Sequence, residues 1–113
     1  MHEREWTVIV HLAFFKWKTG LSEDTLDTLR EKFAALQETI PEIRSFRWIT
    51  NSSTEGLDRG FLEGICVELD SVQARQRYLE HPAHRAFAAG TVLPALEDGL
   101  ESVMVFDYEG YLG

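Results

Sequence analysis

The segment from Trp6 to Trp17 most constrains the fold of this chain, because it is apolar on both faces of a predicted β-strand. Side chains alternate between the two faces along a strand. One face carries Trp6, Val8, Val10, Leu12 and Phe14, and the other carries Ile9, His11, Ala13, Phe15 and Trp17. A strand of this kind needs cover on both faces of its sheet.

An amphipathic helix is predicted to follow this strand. Ser22 is a suitable N-cap, and Pro41 stops the helix because the residue before a proline avoids helical geometry. Between them, apolar residues recur at alternating spacings of three and four, which predicts one buried stripe. Two strands are predicted next, over residues 43–51 and 61–69, and a long polar loop joins them.

The second helical region is broken by a proline. Pro82 suits the first position of a new helix, and that helix is predicted to end before Pro94. The last strand is predicted over residues 103–108, and the tail 109–113 is expected to be loosely held. The residues expected to pack the return to this strand are Leu96 and Leu100.

The order strand, helix, strand, strand, helix, strand is the split βαβ or ferredoxin-like pattern. It predicts an α+β fold with a four-stranded antiparallel sheet and both helices on one face. A single chain would leave the other apolar face exposed. We therefore predict a homodimer in which two sheets face each other and close an α+β barrel. The 113 residues fit one domain, residues 1–113.

The charge and cysteine content exclude several classes of partner and site. The net charge is −8, whereas nucleic acid and anionic membrane surfaces select clustered Lys and Arg, so neither is an expected partner. The single cysteine, Cys66, cannot form an internal disulfide and is expected to be an inert buried thiol. No apolar segment of signal type follows the charged start, so we predict a cytoplasmic protein.

Residues 78–84, with the sequence YLEHPAH, place a phenol beside two imidazoles. A histidine can move a proton near neutral pH, and a phenol can donate a hydrogen bond to a developing oxyanion. That pairing suits an aldol-type closure, an enolisation or a decarboxylation of a small phenolic or polyketide-like ligand. The structural alternative is that His81 caps the new helix, His84 docks on a backbone carbonyl and Tyr78 is a core aromatic.

Five segments, in this order and spacing, resemble the stress-responsive dimeric α/β-barrel (Dabb) family. They are HLAFFKWK from His11, IPEIRSF from Ile40, GF from Gly60, YLEHPAHRAF from Tyr78 and VFDY from Val105. The resemblance covers residues 11–108. It implies the dimeric barrel that the element order also predicts.

Most members of that family have no assigned reaction. The resemblance implies a homodimer that binds a small apolar or phenolic ligand in a pocket between sheet and helices. It implies no cofactor. Cyclase-type members use the Tyr and the second His as catalytic groups, which are Tyr78 and His84 here. The residues then expected to line the pocket are His11, Ala13, Phe15, Phe33, His81, Phe87, Val103 and Val105. Between His84 and the last strand this chain is several residues longer than the cyclase-type member, so the wall of its pocket is expected to have a different shape.

Three other possibilities are weighed beside this one. Some family members hold a magnesium ion on backbone carbonyls, at positions that correspond to Gln37, Ile40 and Ile43. A zinc site would draw on His11, His81 and His84, but Glu80 is the only further ligand nearby. A cofactor-free monooxygenase site would draw on Trp48 and Asn51, which are ordinary at a strand end.

Two function classes therefore stay open. One is a dimeric binding or stress-protective protein, and the other is a cofactor-independent cyclase or lyase that uses His84 with Tyr78. An open, partly apolar pocket that contains both side chains favours the enzyme. Side chains of Phe33, Leu36 and Phe87 that seal the pair would argue against it.

Overall fold

A computed structural model describes residues 6–111 of the chain, with side chains described for residues 8–109. The regular elements are β1 (Trp6–Phe15), α1 (Glu23–Thr39), β2 (Ile43–Thr50), β3 (Glu63–Leu69), α2 (Val72–Glu80), α3 (Pro82–Phe87), α4 (Leu93–Ala95) and β4 (Val103–Tyr111). A π-helical turn, Ala88–Val92, joins α3 to α4, and a 3₁₀ turn, Gly99–Ser102, precedes β4. The sheet order is β2-β3-β1-β4 with every pair antiparallel, which confirms the predicted ferredoxin-like α+β fold.

β1 lies inside the sheet, between β3 and β4, and its side chains alternate between the two faces as the sequence predicts. Ile9, Ala13 and Phe15 point to the helices and are at most 5% exposed. They join the core cluster with Phe33 of α1 and Tyr78 of α2. Both long helices therefore cover the same face of the sheet, which we call the helix side.

The opposite face of the sheet, which we call the open face, is also apolar. Its central residues are Val10, Leu12 and Phe14 of β1 with Met104, Phe106 and Tyr108 of β4. Phe106 and Tyr108 are 52% and 55% exposed. None of these six side chains belongs to the core cluster, so no helix within residues 6–111 covers this face.

Serine side chains cap the starts of α1 and α2. The Ser22 hydroxyl accepts a hydrogen bond from Thr25 N at 3.1 Å, and the Ser71 hydroxyl accepts one from Ala74 N at 3.0 Å. Each hydroxyl satisfies a backbone N–H that has no partner within its helix. No helix in the described part of the chain has the length and apolar character needed to cross a membrane.

Three predictions on the C-terminal half are wrong. β4 runs on to Tyr111, with Glu109 opposite Ile9, so the tail is paired rather than loose as far as the structure describes it. Residues 112–113 of the tail lie outside the described residues. Leu96 is 3% exposed as expected, but Leu100 is 78% exposed. The helical path also continues past Pro94, because a proline in the first turn of α4 has no N–H to satisfy there.

Candidate functional site

A cavity of about 300 Å³ lies between the helix side of the sheet and the helices. It is lined by most of the residues that the sequence analysis proposed, namely His11, Ala13, Phe15, Phe33, Tyr78, His84, Phe87, Val103 and Val105. The residues that complete the apolar wall are Leu36, Ile65, Leu79, Ala88, Val92, Leu93, Leu96 and Leu100. Phe33, Leu36 and Phe87 form part of this wall without sealing Tyr78 and His84 away from the cavity.

Tyr78 lies at the polar end of this cavity. It is 2% exposed and lies on α2, with its ring centroid 4.7 Å from that of His84 and 5.6 Å from that of His11. Burial, and then the negative charge of Asp107, raise the pKa of the Tyr78 phenol far above its usual value. The hydroxyl therefore stays protonated at neutral pH and can donate a hydrogen bond.

His84 lies beside it on α3 and is partly buried. Its Nδ1 is 3.2 Å from the carbonyl oxygen of Leu79, which can only accept, so we assign the proton to Nδ1 and leave Nε2 as an acceptor. Burial lowers the pKa of His84, and it outweighs the opposite effect of the Leu79 carbonyl. The neutral imidazole with an unprotonated Nε2 is therefore favoured in the folded state.

His11 and Asp107 form a second polar pair in the cavity. His11 Nδ1 is 2.7 Å from Asp107 Oδ1, and Arg75 donates to Asp107 Oδ2 at 3.2 Å. His11 is 6% exposed, so it is both a hydrogen-bonded core histidine and part of the cavity lining. The sequence analysis missed Asp107 and Arg75. The one available signal was an aspartate in an apolar strand, which the register of β1 and β4 puts opposite His11.

His81 lies outside the cavity lining, although the resemblance placed it in the pocket. Its Nδ1 accepts a hydrogen bond from Ala83 N at 3.0 Å at the start of α3. This is the capping geometry that Pro82 at the first helical position favours. Only one of the two histidines in the segment therefore faces the cavity.

Metal ligation finds little support among the described side chains. Within residues 6–111, no group of three or more His, Cys, Asp or Glu side chains is placed to hold a metal ion. The Ile40 carbonyl accepts a hydrogen bond from Ile43 N at 3.2 Å, so one of its two lone pairs is already occupied. The magnesium site implied at Gln37, Ile40 and Ile43 stays a prediction, and no chemistry below depends on it.

Comparison with known proteins places these features in a family context. The family model described as Stress responsive A/B Barrel Domain matches residues 9–110. The chain is 28% identical, over 89% of its length and 88% of the relative's, to stress-response A/B barrel domain-containing protein HS1 of Arabidopsis thaliana. It is 26% identical to olivetolic acid cyclase of Cannabis sativa, over 88% of this chain and 94% of the cyclase.

A solved structure shares the fold at lower sequence identity. It is a dimeric ferredoxin-like protein of unknown function from Jannaschia sp. CCS1, with a TM-score of 0.73 and 22% identity. The match covers 92% of this chain and 100% of that one. This likeness supports the ferredoxin-like fold.

Proposed function

Because the chain belongs to the stress-responsive A/B barrel domain family, we propose that it works as a homodimer whose cavity binds a small, mostly apolar molecule with a polar head. The wall of the cavity is almost entirely aliphatic and aromatic, whereas its polar side chains gather at one end. Ligand sites commonly combine apolar walls with a few convergent polar groups. The polar end then takes the head of the ligand and the apolar wall takes its body.

The Tyr78 hydroxyl carries this proposal. It is a protonated donor on a residue that is 2% exposed, and no group that the structure describes accepts a hydrogen bond from it. The hydroxyl is not one of the fully buried side-chain atoms that lack a partner among the described residues, so it opens onto the cavity, where a ligand can reach it. A carbonyl or phenolic oxygen on the ligand would supply the missing acceptor. His11 and His84 flank the same position.

The homodimer rests on the open face of the sheet. Within residues 6–111, nothing covers the continuous apolar surface that β1 and β4 build on this face. A second copy is the economical partner, since the same patch on both copies is self-complementary under two-fold symmetry. The dimeric state described for the ferredoxin-like neighbour supports this assembly.

Neighbouring alanines provide a matched test of the cavity. Ala88 lines it, whereas Ala89 is exposed one residue later on the same turn. With para-pentylphenol as probe, we expect Ala88→Leu to weaken binding about tenfold by filling the space, and Ala89→Leu to leave Kd within about twofold. Calorimetric titration measures both. Equal affinities for the two variants, or no binding to the unaltered protein, would reject the cavity as the site.

Tyr78→Phe tests the polar end separately. It removes only the hydroxyl, so we expect Kd for the same phenol to rise about fivefold, the value of one hydrogen bond. The ring contacts with His11 and His84 remain in this variant. An unchanged Kd would mean that the ligand head does not use Tyr78.

A second candidate function is proton-transfer catalysis of the cyclase or lyase type. The observation that favours it is the protonation of the pair, with a neutral His84 whose Nε2 is unprotonated and a protonated Tyr78 beside it. In such a step Nε2 takes a proton from a carbon next to a carbonyl while Tyr78 donates to the enolate oxygen. His84 later returns the proton, which balances the reaction. The likeness to olivetolic acid cyclase supports this chemistry.

Deuterium uptake from D₂O into the carbon beside the carbonyl of an alkyl phenyl ketone tests that candidate by NMR. We expect His84→Ala to slow uptake at least about a hundredfold, the usual contribution of a general base, without dissociating the dimer. His81→Gln is the matched control, because it changes a histidine three residues away that caps α3 outside the cavity. Exchange that survives His84→Ala would refute the catalytic assignment.

A further inference from the structure

The apolar wall of the cavity does not stop inside the protein. Leu93, Leu100 and Val105 line the cavity and are also 39%, 78% and 53% exposed, in that order. We call these three side chains the apolar rim. They carry the lining of the cavity out to its mouth, so a ligand that reaches the rim meets apolar surface rather than a polar edge.

The segment that carries Leu100, the most exposed residue of the rim, is held to the residues that follow β1. Lys18 N donates to Ala95 O at 2.9 Å, Glu97 N donates to Lys16 O at 3.0 Å, and Lys16 N donates to Ser102 O at 2.9 Å. Backbone hydrogen bonds therefore fix residues 95–102 at both ends.

Leu100 itself is held in an outward position. Ser102 is 1% exposed, and its hydroxyl accepts a hydrogen bond from Asp98 N at 2.8 Å, which closes the turn around Leu100. Gly99 supports that turn with a φ of +58°, which costs a glycine little. The 78% exposure of Leu100 is thus a property of an ordered turn rather than of an unpaired loop.

We propose that the apolar rim binds the outer part of an alkyl chain whose polar head lies at Tyr78 and His84. This inference rests on the proposed function and narrows its ligand to long-chain molecules with one polar end. An enclosed cavity would reject chains longer than itself, whereas this one lets the chain leave along Leu93, Leu100 and Val105. Covering those side chains removes apolar surface from water, so each further methylene on the rim still gains affinity.

A series of para-alkylphenols from propyl to dodecyl, used below their aggregation concentrations, tests the rim. We expect Kd to fall about fourfold per methylene while the chain fills the cavity, the full value of a buried methylene. Along the half-exposed rim we expect about twofold per methylene, because only part of each group is covered. The break between the two slopes marks the chain length at which the tail reaches the mouth.

Leu100→Asn and Leu57→Asn form the matched pair of variants. Both leucines are highly exposed, at 78% and 62%, so neither change should unfold the protein, but Leu57 lies in the loop before β3 and outside the cavity. We expect Leu100→Asn to weaken the long phenols about fivefold, and to weaken the short ones, whose chains end before the rim, much less. Leu57→Asn should leave the whole series unchanged.

The outcomes separate this inference from the function beneath it. If short phenols bind but longer ones gain nothing, or if the two asparagine variants behave alike, the rim proposal is overturned while the cavity stands. The same holds if a second copy covers the rim, since the gain would then end at one chain length in every variant. If no phenol binds the unaltered protein, both proposals fail.

Discussion

In β1 and β4 both faces of this sheet are apolar, and the two faces differ in how they are covered. On the helix side, Phe33 packs edge-on against Phe87 with ring centroids 4.7 Å apart, and a cavity of about 300 Å³ remains beside them. On the open face, Phe106 is 52% exposed and nothing from the described chain lies over it. Cover on the helix side is therefore intramolecular, whereas cover on the open face must come from elsewhere. Substitutions on the open face should therefore change dimer association, whereas substitutions on the helix side should change the stability of the single chain.

The largest effect is expected from a charge at the centre of the open face. Leu12 lies between Cys66 and Phe106 in the sheet register. Leu12→Asp should cost about 2 kcal/mol per copy, or roughly a thousandfold in the dimer dissociation constant, because two carboxylates would enter the interface. Sedimentation equilibrium measures the constant. Leu57→Asp, the same change on an exposed loop, is the control.

If Leu12→Asp and Leu57→Asp sediment alike, the open face is not the dimer interface. A monomeric but folded Leu12→Asp protein would support the separation of the two faces most directly. If the unaltered protein is already monomeric, the proposed dimeric barrel is wrong.

An intermediate effect is expected on the helix side. Asp107→Asn replaces the charged acceptor of His11 and Arg75, so the free energy of unfolding should fall by about 2 kcal/mol, the value of a hydrogen bond to a charged group. Urea denaturation gives this value. Glu109→Gln changes a residue two positions further along the same strand. It should lower the free energy of unfolding by much less, since no described group forms a hydrogen bond with the Glu109 carboxylate. The comparison fails if Asp107→Asn dissociates the dimer instead.

The smallest effect is a pH dependence that arises from His84. Burial lowers the pKa of His84 below its ordinary value of about 6.5. The stabilisation of the folded state that arises from the neutral His84 is therefore fully present above pH 6.5, and it is lost as the pH falls through the folded pKa. The difference in urea midpoint between pH 7.5 and pH 5.5 should be smaller in His84→Gln than in the unaltered protein. A pH difference that is unchanged in His84→Gln would contradict the assignment.

The parts of the fold that were predictable are those encoded locally. Ser22 and Ser71 cap their helices through hydrogen bonds to residues three positions away. The two-faced strand β1 required cover on both sides whatever followed it. From those features and the element order, the antiparallel α+β sheet follows.

The parts that were not predictable depend on tertiary contacts. The extension of β4 rests on backbone pairing of Glu109 with Ile9, although the Glu-Gly pair after Tyr108 has the composition of a turn. The outward position of Leu100 depends on the buried Ser102 turn rather than on any apolar periodicity.

The candidate site divides in the same way. Tyr78 and His84 come from one short segment, so their proximity could be inferred from the sequence. The pairing of His11 with Asp107 joins residues 96 positions apart and depends on the register of β1 with β4. Arg75 reaches the same carboxylate from α2, so no single segment of the sequence encodes that polar network.

The π-helical turn at Ala88–Val92 gives this fold a means of evolutionary change that leaves the sheet untouched. Such a turn holds one residue more than an α-helical turn. Loss of one residue there, for example Gly90, whose position has open space around it, would restore α-helical winding and leave the residues after the turn close to their present faces. The rearrangement would be confined to the turn, so it would change the cavity lining at Ala88 and Val92. Insertions and deletions in this segment could thus give descendants of one ancestor different ligands, so similarity in the strands is a poor guide to what each relative holds.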